Sequence, residues 1–147
     1  MPERINPLAR LWIIALLVTL ISACTPSDPQ AALEAAVQTL QDNLEAKRNS
    51  AVMEQLHPEF RAQQQYDSQW AQRTMLGLFL RYKNVRVTAL SKTSTLDPTS
   101  SSKGYTEAQV AVTGAEGLIP DNANTYSVKL EWWLEGQEWK LARIDWK

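Results

Sequence analysis

The sequence predicts an α+β domain in which N-terminal helices pack on a curved, mainly antiparallel sheet, preceded by a cleaved signal peptide. Two observations carry the fold class. Apolar residues recur at spacings of three and four between Pro29 and Tyr82, and from Val85 to the C-terminus they alternate. Helices and strands are also segregated along the chain, which favours separate layers over repeated strand–helix–strand units.

At the N-terminus Arg4 and Arg10 precede an uncharged run from Leu11 to Ile21, the layout of a secretory signal. As a helix, eleven residues reach ~16 Å, about half of a ~30 Å hydrocarbon core, so a membrane span is disfavoured. Ile21-Ser22-Ala23-Cys24 follows, and Cys24 is the sole cysteine. This segment resembles the bacterial lipobox; the alternative is ordinary cleavage near Ala23 that leaves an unmodified thiol. The resemblance implies that residues 1–23 leave as the signal and that Cys24 is the lipidation site. Residues 24–28 then form a lipidated N-terminus and short linker before a domain over residues 29–147. More than one acyl chain makes a stable anchor. The membrane is thus one expected partner, reached through lipid at Cys24, and the expected location is the cell envelope, facing the periplasm. Thr25 stands where inner-membrane lipoproteins of enterobacteria commonly carry aspartate, which favours the outer membrane.

Loss of residues 1–23 leaves 124 residues, enough for one core, with 13 basic and 15 acidic side chains. Nothing in that balance suggests nucleic acid. With Cys24 lipidated no disulfide is possible.

Asp28-Pro29 is a helix start, because the carboxylate accepts a free backbone N–H and proline at the first position loses no hydrogen bond. Leu33, Ala36, Val37, Leu40 and Leu44 then form one buried stripe of a helix reaching Lys47. Asn49-Ser50 caps a short second helix, Ala51 to Leu56, stopped by Pro58. A third runs from Asp67 or Ser68 to Tyr82. Val85, Val87 and Ala89 share a face of the first expected strand, and Ala108, Val110 and Val112 a face of the second. The polar segment from Leu96 to Gly104 separates these strands, and a further loop runs from Gly114 to Asn124. The clearest strand sets Tyr126, Val128, Leu130, Trp132 and Leu134 against Ser127, Lys129, Glu131, Trp133 and Glu135. Gly136-Gln137 reverses the chain into a last strand with Trp139, Leu141, Ile144 and Trp146. Its apolar phase slips after Leu141. Either a bulge near Ala142-Arg143 restores it, or Ile144 and Trp146 face the other side.

The long first helix, the passage Leu56-His57-Pro58-Glu59-Phe60, the helix closing on Leu78-Phe79-Leu80 before Asn84-Val85-Arg86-Val87, and the terminal hairpin together resemble the nuclear-transport-factor-2-like family, or cystatin-like cone fold. The resemblance implies a curved sheet around the long helix and a conical pocket open at one end. The family includes isomerases, dehydratases and hydrolases as well as proteins that only bind or dimerise, so fold alone does not assign a function.

The positions expected to face inward are Leu33, Val37, Leu40, Leu44, Val110, Val112, Val128, Leu130, Trp132 and Leu134. None ionises, and the balance of this reading is against an enzyme. The catalytic candidates are His57, Tyr66 and Asp67, a polar trio at the mouth of the cone in the manner of a dehydratase. Their alternatives are a histidine beside the last carbonyls of a helix, a loop tyrosine and a capping aspartate. One histidine and scattered carboxylates offer no metal site, and no sequence motif calls for a cofactor. Alternation places Trp133 on the polar outer face, joined by Ile144 and Trp146 if the last strand has no bulge. That surface suits a homodimer or an envelope protein partner, or sugars stacked on Trp133 and Trp146 in a cell-wall glycan-binding module. Its alternative is a single aromatic lying across lysine and arginine stems. The favoured expectation is a non-catalytic envelope lipoprotein that binds a protein or a small apolar ligand through its sheet face or cone. The alternative is a small-molecule isomerase, dehydratase or hydrolase.

Overall fold

The computed structural model describes residues 28–114 and 124–147; the expectations for the signal segment, Cys24, the linker up to Ser27 and residues 115–123 of the second loop lie outside them. Helix α1 spans Pro29–Glu45, with the Asp28 carboxylate accepting the Gln30 N–H at 3.1 Å. Its buried stripe is Leu33, Val37 and Leu40, continued by Asn43. Asn43 is satisfied by Gln55 at 2.8 Å, a side chain of the short helix α2, Asn49–Gln55.

The expected second helix stops earlier than the sequence suggests, and a strand takes its place: β1, Leu56–Ala62, runs parallel to β5, Glu138–Trp146. Pro58 ends the helix as expected. It is tolerated in β1 because this strand lies at the sheet edge, where a missing N–H leaves no neighbour unpaired. Helix α3, Ser68–Arg81, begins at Asp67, whose carboxylate accepts the Trp70 N–H at 2.9 Å.

Strands β2, Arg86–Leu96, β3, Lys103–Thr113, and β4, Asn124–Glu135, complete a five-stranded sheet in the order β1-β5-β4-β3-β2. All pairs except β1–β5 are antiparallel. The β4–β5 hairpin turns on Gly136 at φ +64°, the backbone that the first position of a two-residue turn requires and that glycine adopts without strain.

Helix α1 lies along the free edge of β2 and occupies its unpaired backbone groups. The Val87 N–H donates to the Glu45 carboxylate and the Val87 carbonyl accepts from the Gln41 amide, each at 2.8 Å; Gln30 donates to the Ser94 carbonyl at 2.7 Å. An edge covered in this way is closed to further strand pairing along those residues.

Two bulges set which side chains face the helix. In β5 the register passes from Trp132↔Leu141 to Glu131↔Arg143, leaving Ala142 as the extra residue. Ile144 is therefore returned to the inner face, opposite Leu130. In β2 the register passes from Ala89↔Val110 to Ser91↔Gln109, leaving Leu90 unpaired and largely exposed. Lys92, Ser94 and Leu96 then share the inner face, opposite Ala108, Thr106 and Gly104.

The core fills the closed end of the cone. Leu33 and Trp132 are fully buried, with Leu40, Phe60, Trp139 and Leu141 around them. Helix α1 comes close to the sheet at Gly104, where a Cβ would stand 2.6 Å from a Leu33 methyl.

Candidate functional site

The open end of the cone is a cavity of about 600 Å³ between α1, α3 and the inner faces of β2 to β5. That volume lies within the ordinary range for small-molecule sites, about 300–1,000 Å³. Val37, Leu40 and Leu44 form the α1 wall, and Val110, Val112 and Val128 the sheet wall. These were expected inward positions. Met75, Leu78 and Phe79 of α3 close the remaining side, although no residue of that helix is fully buried. The N-terminal part of this helix packs Trp70, Ala71 and Met75 against the core, and its C-terminal part faces the cavity.

Sequence periodicity set Tyr126 on the inner face of its strand but did not bring Lys92, Thr106 or Gln41 to this cavity. Lys92, Thr106, Gln41, Tyr82 and Tyr126 line it among the apolar residues. Lys92 faces inward because of the Leu90 bulge; uninterrupted alternation from Ala89 would have sent it outward. Its ammonium donates to the Gln38 side-chain carbonyl at 3.1 Å, and Gln38 in turn donates to Asp42 at 2.9 Å. Deeper in, the Thr106 hydroxyl accepts from the Trp132 indole N–H at 3.2 Å and shares a hydrogen bond with Ser94 at 2.9 Å. At the rim the Tyr82 ring lies against Gly114, where a Cβ would meet it at 2.6 Å, so only glycine admits the ring there. Lys47 donates to the carbonyls of Tyr82 and Lys83 and ties the end of α3 to the end of α1.

The residues singled out from sequence lie elsewhere. His57 is in β1 rather than at a helix end; its Nδ1 accepts the Glu59 N–H at 3.1 Å, and its ring meets Trp133 edge-on at 4.7 Å between centroids. Asp67 is the α3 cap, and Tyr66 stacks on Trp70 at 4.4 Å. None of the three lines the cavity, and among the described residues no hydrogen bond joins His57 to Tyr66 or Asp67. The polar trio is not assembled, because β1 carries His57 to the Trp133 side of the sheet.

Trp133 is half-buried on the outer face. Its indole donates to Glu131 at 2.6 Å, while the Arg143 guanidinium and the Lys103 ammonium stand 5.0 and 5.5 Å from its ring. Cation stems and His57 therefore cover it. The bulge at Ala142 places Ile144 in the cavity wall, and Trp146 stacks with Trp70 of α3 at 6.3 Å. Trp133, Ile144 and Trp146 thus do not form one surface. A glycan platform built on Trp133 and Trp146 is excluded by their placement on different faces.

No family model matches the chain, and no curated protein matches it by sequence. Solved structures do. Bd1075 of Bdellovibrio bacteriovorus superposes with a TM-score of 0.67 at 10% identity over 78% of this chain, which spans 40% of that protein's length. A proposed ketosteroid isomerase from Shewanella frigidimarina gives 0.62 at 15% identity, covering 79% of this chain and 94% of that one. A proposed dehydratase of the NTF2-like family from Streptomyces avermitilis gives 0.64 at 8% identity, covering 83% and 96%. At such identities the likeness establishes the fold, an NTF2-like, cystatin-like cone with an open, mixed sheet.

These comparisons correct the expectation against an enzyme. The same architecture occurs in proteins named for isomerase and dehydratase activity. The physical ground of that expectation also falls, since it rested on inward positions that do not ionise. Lys92, Tyr82 and Tyr126 all reach the cavity.

Proposed function

We propose that this protein takes a small, largely apolar molecule into its cone, where the polar groups of the wall and rim are placed to orient it and to exchange protons with it. The observation that carries this reading is the cavity itself: about 600 Å³, walled by apolar side chains from α1, α3 and β2 to β5, with a few polar groups among them. Apolar surface left open in this way is ordinarily a binding site. Lys92, Tyr82 and Tyr126 are the lining groups with exchangeable protons and a charge or phenol to offer.

The test is uptake of a neutral solvatochromic dye by the full-length chain. Ala108 lies in the middle of the sheet wall, opposite Lys92, and Ala108→Trp fills the cavity from that side. Wild type should raise the dye's emission with saturable binding, and the variant should lose most of that signal while keeping its far-UV spectrum. Equal emission from both would refute the reading.

For the N-terminus the supporting observations are in the sequence: Arg4 and Arg10, the run Leu11 to Ile21, and the sole cysteine after Ile21-Ser22-Ala23. On these, Cys24 is the lipid attachment site of an envelope lipoprotein facing the periplasm, and the cone works beside a membrane. Cys24→Ser should release the protein from the membrane fraction and abolish incorporation of labelled fatty acid. Unchanged fractionation and labelling would overturn the anchor.

A further inference from the structure

Thr106 is the polar residue most deeply placed in the cavity wall, 1% exposed. Its hydroxyl and that of Ser94 hold two hydrogens between them, and their mutual hydrogen bond uses one. The Trp132 indole donates to Thr106 and so consumes acceptor capacity, not a hydrogen. If Ser94 donates to Thr106, the Thr106 hydrogen is spare; if Thr106 donates to Ser94, the Ser94 hydrogen is spare. Among the described residues nothing accepts it. Thr106 is buried and Ser94 half-buried, so a hydroxyl hydrogen left without a protein acceptor there favours a partner from outside the protein.

Lys92 is the second, independent observation. It lies two residues from Ser94 on the same face of β2, ~7 Å along the strand. Its ammonium has the neutral Gln38 carbonyl as its side-chain partner, and among the described residues no carboxylate lies within 4.0 Å of it. The four-carbon stem lets the ammonium swing from Gln38 toward the Ser94–Thr106 pair, while Gln38 keeps its bond to Asp42. The inner face of β2 thus brings a positive charge with no carboxylate partner, and within a side chain's reach of it a spare hydrogen-bond donor, to one end of a largely apolar cavity. Both ask for an anionic oxygen acceptor.

We infer that the ligand of this cavity is an apolar carboxylate, its hydrocarbon part against Val37, Leu40, Val110 and Val128 and its carboxylate between Lys92 and the Ser94–Thr106 pair. This rests on the cavity reading above and adds the head group to it. Lys92 is exposed at the cavity mouth, and a charge-assisted bond is roughly twice as strong as a neutral one, so charge should set a selectivity that salt weakens.

The test uses two probes of equal chain length, decanoate and 1-decanol, titrated calorimetrically into the full-length protein at pH 7.5. Decanoate should bind at least tenfold tighter, and the difference should shrink as salt is raised. Lys92→Met should bring the two probes within about twofold of each other by weakening decanoate alone, and Lys92→Arg should restore the preference. The double variant Ser94→Ala/Thr106→Val, which removes both hydroxyls, should weaken decanoate severalfold and leave 1-decanol within about twofold; unchanged decanoate binding would remove the pair from the head-group site. Equal binding of acid and alcohol to wild type, with Ala108→Trp still blocking both, overturns the head-group assignment and leaves the cavity reading standing. Binding of neither probe overturns both. Melting curves recorded for each variant separate loss of the site from loss of the fold.

Discussion

Gly104→Ala reports directly on how α1 docks into the sheet. Gly104 pairs with Trp132 on one side and Leu96 on the other, in the interior of β3, and its φ is not positive. By backbone entropy alone, alanine there should stabilise the protein by about 0.4–1 kcal/mol. Geometry predicts the opposite sign. The added methyl would stand 2.6 Å from one Leu33 methyl and 3.2 Å from the other, and Leu33 is fully buried with no vacant side to move into. Overpacking of this kind costs about 1–3 kcal/mol, enough to outweigh the entropic gain. Urea unfolding of the full-length chain, followed by tryptophan fluorescence, measures the difference. The decisive comparison is a double-mutant cycle. Leu33→Ala alone should cost about 2–5 kcal/mol through the cavity it leaves. In that background the new methyl enters vacated space, so Gly104→Ala should become neutral or stabilising, with a coupling of at least ~1 kcal/mol. Equal costs for Gly104→Ala in the two backgrounds, or a stabilised single variant, would refute the close approach of α1 to β3.

Asp67→Ala removes the carboxylate that accepts the Trp70 N–H and should cost about 1 kcal/mol, measurable as a lower urea midpoint; Asp67→Ser should recover most of it. Trp132→Ala, at the buried centre of the core, should cost about 3–5 kcal/mol and leave little folded protein by near-UV circular dichroism. Asp97 is held below its ordinary value of 3.8 by hydrogen bonds from the Thr99 side chain and backbone and from the Tyr105 hydroxyl. Its contribution to stability is therefore complete above the normal carboxylate range and is lost as pH falls below about 3.8 toward the lowered value. Asp97→Asn should flatten the acid limb of the stability profile in that window and leave its shape near neutrality unchanged. An acid limb as steep as that of wild type would show that Asp97 does not carry it.

Legibility from sequence followed the range of the interactions involved. The caps at Asp28 and Asp67 and the Gly136 turn depend on neighbours two or three positions away, and all lie where the sequence indicates them. The buried stripe of α1 and the inner residues of β3 and β4 were equally clear, since a regular period repeats in each. Strand β1 was not. Its pairing partner is β5, more than seventy positions later, and a local reading of Leu56 to Phe60 sees only a helix running into Pro58.

The candidate site was obscured for a related reason. Alternation correctly placed its aliphatic walls, yet the polar end depends on Leu90 being an extra residue, and nothing in Ala89-Leu90-Ser91 announces that. The sequence by itself determined the order of the elements other than β1, the caps at Asp28 and Asp67, the Gly136 turn and the apolar faces that must meet, because propensity and period act within a few residues; the expected Asn49-Ser50 cap is instead Arg48, with no side-chain capping bond. Only the tertiary structure decided that β1 closes the sheet, that Ile144 turns inward while Trp133 is covered from outside, and that Lys92 enters the cavity. Each of those outcomes hangs on a register between distant strands, where a slip of one residue moves every later side chain to the opposite face.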